Sequence, residues 1–126
     1  MDTEKLKTAK AEFTELKRAG VVRRSDSPWG SPLHMVKKAD GTCRPCGNYC
    51  RLNATTIPDT YPITNMMDFT ARVAGCEVFS KIYLRKGYHQ IPMNPKGIPK
   101  TAITTPFGLY KLTHMRFGMQ NARNPF

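Results

Sequence analysis

Leu6, Ala9, Phe13 and Leu16 recur at helical spacing among glutamates and lysines, and Gly20 follows a basic last turn. One apolar stripe on an otherwise polar segment predicts an amphipathic helix over roughly residues 4–19. The pattern then breaks at Ser25-Asp26-Ser27-Pro28-Trp29-Gly30-Ser31-Pro32. Two prolines among small polar residues predict an ordered loop, with Trp29 as its packing anchor. Leu33 to Val36 and Cys43 to Tyr49 flank Lys37-Lys38-Ala39-Asp40-Gly41-Thr42. Asp-Gly between two strand-like runs predicts a hairpin, with two lysines beside its tip. Pro58 and Pro62 bracket an extended linker, and Met66, Met67, Phe69, Val73 and Ala74 predict a short helix ending near Gly75. Val78 to Leu84 is rich in β-branched and aromatic residues and predicts a strand; Lys100 to Thr105 and Leu109 to Met115 predict two more, joined by Pro106-Phe107-Gly108. From Asn121 the pattern suits the start of a further helix.

Helix, hairpin, helix, then strands is an α+β layout. Final strands that lose whatever would cover them read as a domain cut short. The chain shows no internal repeat, heptad pattern or low-complexity segment.

Charge sharpens the picture. Twenty Lys and Arg stand against nine Asp and Glu, a net charge of +11 over 126 residues, spread from Lys5 to Arg123. This favours a polyanionic partner such as nucleic acid over a merely soluble basic surface. The helix face bearing Lys7, Lys10, Lys17 and Arg18 is a candidate phosphate contact, although a solvated charged face is the plainer reading. No run of about eighteen apolar residues exists, and the N-terminus lacks the apolar stretch of a signal peptide. An intracellular protein is therefore expected, with nothing choosing between cytoplasm and nucleus. Cys43, Cys46, Cys50 and Cys76 are then expected as thiols.

Several strings, taken in order, resemble one family. They are Ser-Pro-Trp-Gly-Ser-Pro (27–32), Asp-Gly-Thr-Cys-Arg-Pro-Cys-Gly-Asn-Tyr (40–49), Arg-Leu-Asn (51–53), Phe-Ser-Lys-Ile (79–82), Lys-Gly-Tyr-His-Gln-Ile (86–91), Lys-Thr-Ala-Ile-Thr-Thr-Pro-Phe-Gly (100–108) and Phe-Gly (117–118). Together they resemble the Ty3/gypsy class of retrotransposon reverse transcriptases, from about residue 12 to residue 126. The resemblance implies the fingers and partial palm of a truncated right-hand polymerase fold. An N-terminal helix and linker would occupy residues 1–24, fingers about 25–75 and N-terminal palm about 76–126. It implies an RNA or DNA template-primer as partner, with the rest of the palm, the thumb and RNase H supplied elsewhere in full-length relatives. It further implies that Lys37, Lys38 and Arg44 reach a nucleotide's phosphates, a task suited to ammonium charges and a guanidinium fork. Tyr88 would lie under the nucleotide sugar, and Phe117 and Gly118 near the template base. Ordinary core packing is the competing reading for both aromatics.

The chain also departs from the family. There the strand reads Phe-Ser-Lys-Ile-Asp-Leu, and its Asp holds two Mg²⁺ ions; here the position is Tyr83. A neutral, bulky phenol is a poor substitute for an anionic oxygen ligand. The family's Tyr-x-Asp-Asp turn would lie beyond residue 126, and Asp40, Asp59, Asp68 and Glu77 all fall outside the metal-binding strand. No bound cofactor is therefore expected, although Mg²⁺ serves the active family. Cys43, Asn48, Cys50, Arg116 and Gln120 replace the usual Trp, Asp, Arg, Pro and Arg, each change reachable by one nucleotide substitution. Cys43, Cys46 and Cys50 form C-x2-C-x3-C, a zinc-like spacing, yet only three ligands are in reach where tetrahedral closure takes four. His34, His89 and His114 have no acidic or nucleophilic partner at triad spacing.

The expectation is an inactive reverse-transcriptase remnant with residual affinity for template-primer. The alternatives are a co-opted nucleic-acid-binding or interaction module and an active enzyme represented by one piece.

Overall fold

The computed structural model describes residues 2–122. Helix α1 (Thr3–Arg18) buries Ala9, Phe13 and Leu16, the stripe its periodicity marked. It ends in a Schellman turn: Val21 N–H bonds Leu16 O at 3.0 Å and Gly20 N–H bonds Lys17 O at 3.2 Å. Gly20 supplies the positive φ of 77° that this exit requires.

Five strands form one sheet: β1 (Val22–Arg24), β2 (Ser31–Lys37), β3 (Cys43–Gly47), β4 (Ile103–Thr105) and β5 (Gly108–Leu112), in the order β1-β5-β4-β2-β3. β2 and β4 run parallel and every other pair is antiparallel. The β2–β3 hairpin forms where Asp-Gly predicted it. Asp40 Oδ1 accepts bonds from Thr42 N–H (2.9 Å) and Thr42 Oγ1 (2.6 Å), which hold the carboxyl below its ordinary pKa.

Phe13, Leu16, Val21, Val22, Tyr49, Ile103, Tyr110 and Leu112 make the core between α1 and the sheet. Phe13 meets Tyr110 at 5.2 Å and the Phe107 edge at 5.5 Å between ring centroids. Tyr49 is buried and its hydroxyl donates to Thr101 O at 3.1 Å; burial pushes its pKa well above the usual phenol value. β4 and β5, which follow residue 75 in the chain, lie between β1 and β2 in the sheet.

Four expectations need correction. Val78 to Leu84 forms no strand, and Val78, Ile82 and Tyr83 are 90%, 84% and 79% exposed. A strand exists only when its amides find a neighbouring ladder, and this segment has none among the described residues. Trp29 is not a buried anchor, being 38% exposed. The loop is tied down instead by Ser27, whose Oγ donates to Pro99 O (2.7 Å) and accepts from Trp29 N–H (3.1 Å). Lys100 and Thr101 belong to a 3₁₀ turn (Ile98–Thr101) rather than to a strand, and β5 stops at Leu112. Beyond it, residues 113–115 bond to residues 91–93 around a single Pro92–His114 bridge.

A helix the sequence did not announce, α2 (Cys50–Thr55), follows β3, with Asn48 Oδ1 accepting Cys50 N–H at 3.1 Å. The expected short helix is α3 (Met66–Val73), capped by Asn65 Oδ1 on Asp68 N–H at 2.8 Å, with no buried residue. The helix expected from Asn121 lies largely outside the described residues.

Candidate nucleotide and nucleic-acid site

β3 alternates its side chains, so Arg44 emerges on the face opposite to Cys43. Its guanidinium carbon lies 5.5 Å above the Phe117 ring, and Tyr88 stands 6.2 Å from Phe117 between centroids, tilted by 54°. A cavity of roughly 180 Å³ opens beside them, lined also by Lys86, His89 and Arg116, with Glu12 its one acidic wall. Three permanent cations against one carboxylate make this a place for an anion flanked by aromatic surface.

Three of the expected site residues, Arg44, Tyr88 and Phe117, thus come together. Gly118 adjoins them, exposed, at φ 98°. Asn53, from the Arg-Leu-Asn string, fixes this turn: its Nδ2 donates to Gly118 O (2.8 Å) and its Oδ1 accepts Gln120 N–H (2.9 Å). Lys37 and Lys38 are not part of the cavity. Lys37 pairs with Cys43 and so points to the sheet face opposite Arg44, and Lys38 occupies the exposed hairpin turn. Both remain available to a longer polyanion passing the tip.

Arg116, His89, Lys86 and Glu12 line this cavity and escaped sequence reasoning as site residues. Arg116 is 7% exposed, donates through Nη2 to Pro45 O, and leaves Nη1 buried without a partner. Its guanidinium also stacks near Phe13, at 5.9 Å. His89 has a buried, unpartnered Nδ1, and its pKa is lowered by burial first and then by Arg116 and Lys86. Arg116 was visible as a departure from the Pro of the resembled family, but its burial was not.

Tyr83 lies outside the cavity, exposed, with Lys81 Nζ 4.9 Å from its ring centroid. A phenol with an ammonium over it does not fit a divalent-ion site, which takes anionic oxygens and repels nearby cations. Among the described residues no three His, Cys, Asp or Glu side chains are grouped to hold a metal, the cysteines of the C-x2-C-x3-C string included. Cys46 is buried, Cys43 half-buried and Cys50 exposed, all as free thiols. No helix among the described residues is long and apolar enough to cross a membrane.

The fold has close counterparts. It matches the prototype foamy virus protease–reverse transcriptase at TM-score 0.76 and 25% identity, over 100% of this chain and 17% of that one. A foamy viral protease–reverse transcriptase in complex with an RNA/DNA hybrid matches at TM-score 0.78 and 20% identity, over 97% of this chain and 16% of that one. In sequence, the Pol polyprotein of transposon 297 from Drosophila melanogaster is 41% identical over 120 residues, 91% of this chain and 11% of the relative. The Pol polyproteins of transposons opus and gypsy from the same organism are 37% and 31% identical, over 88% and 91% of this chain. No family model matches the chain.

An α+β unit of this topology, with these matches, is a piece of a reverse-transcriptase fold. Its sequence relatives make it a gypsy-type retrotransposon reverse-transcriptase fragment. The chain spans about a tenth of the length of the curated relatives it matches (11%, 12% and 12%).

Proposed function

We propose that this chain binds nucleic acid as a reverse-transcriptase fingers unit and does not itself catalyse polymerisation. Arg44 over Phe117, beside Tyr88, is the observation that carries the binding half. It puts a guanidinium fork and two aromatic faces around one anion-sized cavity. Lys37 and Lys38 at the exposed hairpin tip extend the positive surface for a template-primer, the partner that the resemblance suggests. Foamy virus relatives of this fold have been solved with double-stranded DNA and with an RNA/DNA hybrid, which supports the same reading.

Tyr83 carries the second half. Phosphoryl transfer of this kind depends on carboxylates that hold divalent ions, and Tyr83 with Lys81 above it offers a neutral oxygen and a repelling charge. The remaining chemistry available to the cavity is binding: orienting an anion with Arg44 and Lys86 and stacking on Phe117.

Fluorescence anisotropy with a labelled RNA–DNA hybrid tests the binding. Affinity should fall steeply with salt, and Arg44→Ala should weaken it about tenfold, the loss expected when a charge-assisted contact is removed. Binding indifferent to both salt and Arg44 overturns this part. For catalysis, the chain is joined to the remainder of a gypsy-type polymerase with Tyr83 retained. Primer extension should stay at background and appear with Tyr83→Asp; extension with Tyr83 present overturns the inactivity.

A further inference from the structure

α1 carries a second stripe that shares Phe13 with the buried one. Lys10, Phe13, Thr14 and Lys17 stand at i, i+3, i+4 and i+7, so they share one face of the helix. That face borders a groove of roughly 290 Å³ completed by Arg24 of β1, Phe107 of the β4–β5 turn and Tyr110 of β5. Three cations rim it and no acidic side chain lines it. Its floor is aromatic: Phe13, Phe107 and Tyr110 lie 5.2–5.8 Å apart between centroids, and Phe107 remains half-exposed.

The cations are not taken up elsewhere. Among the described residues the ion pair on α1 is Arg18–Glu15, at 2.8 Å, which leaves Lys10, Lys17 and Arg24 without an acid. Arg24 is held in place: its guanidinium carbon sits 5.0 Å above the Tyr110 ring. Residue 108 is a glycine at φ 138°, and a Cβ there would run into Arg24 Nη1. Bare backbone at 108 therefore leaves the guanidinium its place over Tyr110, where it is able to meet an anion.

Three cations around a partly open aromatic floor select a ligand with both a phosphate and a planar ring. The groove shares no residue with the cavity around Arg44. Its volume is at the small end of the roughly 300–1,000 Å³ of ligand pockets, room for a single nucleotide unit. We infer that this groove is a second site for single-stranded nucleic acid, taking one nucleotide with its phosphate among Lys10, Lys17 and Arg24 and its base against Phe107. A strand held there runs along the helix face of the sheet, so one chain engages nucleic acid at two separate places.

Native mass spectrometry of the intact chain with a thymidine pentanucleotide at low salt reads the stoichiometry. Two equivalents are expected. The variant Lys10→Gln/Lys17→Gln/Arg24→Gln alters only exposed side chains and should keep its urea midpoint while binding one equivalent. Arg44→Ala should keep the equivalent that the triple variant loses. Phe107→Leu should weaken that equivalent about tenfold, the scale of one lost base–aromatic stack. A single equivalent lost with Arg44→Ala and untouched by the triple variant overturns this inference and leaves the proposed function standing. A single equivalent lost only in the triple variant does the reverse. Displacement by polyglutamate of equal charge as readily as by the pentanucleotide also overturns the inference, since it marks a generic polyanion surface.

Discussion

The sheet with α1 and the stretch from Ile57 to Leu84 are both rich in apolar residues, yet they meet opposite fates. In the first, Ile103, Leu112 and Val22 are at most 1% exposed. In the second, Ile57, Met67, Val78 and Ile82 are all above 80% exposed, and α3 buries nothing. The difference is not hydrophobicity or β-propensity, which the second region has in full. It is the presence of a partner: β4 and β5 lie between β1 and β2 and pair on both sides, whereas residues 78–84 have no ladder beside them. Apolar surface contributes to stability only in proportion to what is removed from water, so the two regions should answer substitution very differently.

Ile103→Ala should destabilise the chain most, by about 3 kcal/mol, because it removes buried volume and leaves a cavity. Ile82→Ala, equal in chemistry, should stay within about 0.5 kcal/mol. Urea titrations followed by far-UV circular dichroism measure both, and equal effects at the two positions would break the comparison.

Thr101→Val comes next. Thr101 Oγ1 accepts Leu112 N–H at 2.8 Å and donates to Ile98 O at 2.6 Å within the buried layer. An isosteric valine orphans that amide, and a loss of about 2 kcal/mol is expected in the same titration.

Asn53→Ala should have a smaller effect, about 1 kcal/mol, since its two bonds to the 118–120 turn are partly open to water. It should also loosen Phe117 and so weaken hybrid binding more than its stability cost suggests, which anisotropy with the labelled hybrid would register.

The smallest effect is on pH dependence. His89 is half-buried, and burial disfavours its charged form, with Arg116, Lys86 and His114 also opposing the charge and Glu12 favouring it. Its folded pKa lies below the unfolded value, so the unfolded chain binds the extra proton. The stability it lends is present above about pH 6.5 and drains away as pH falls through that value toward the folded pKa. His89→Gln should flatten the urea midpoint between about pH 7 and pH 5, the window set by the ordinary histidine pKa. Below that window, loss of the Asp40–Thr42 bonds should weaken the hairpin turn as the carboxyl protonates.

Local signals made much of the fold legible. The α1 stripe and Asp40-Gly41 depend on near neighbours, and each led to an element found at the expected place. The candidate site was legible in Arg44, Tyr88 and Phe117, which the family resemblance implied and the fold brings within stacking range. Lys37 was expected beside them and is not, because strand alternation sends it to the other face. Arg116, His89 and the Arg24 groove were not legible as sites. They arise where segments distant in the chain converge, and no window of sequence contains them.

Sequence by itself determined the helix, the hairpin, the basic charge, the gypsy-type relationship and the phenol at position 83, since these are properties of residue identity and short-range order. Tertiary structure decided which apolar runs became core, which cations face a cavity and whether residues 78–84 pair. Burial and hydrogen-bond ladders are set by what lies across the fold, and a strand-forming segment without a neighbour leaves its amides to water.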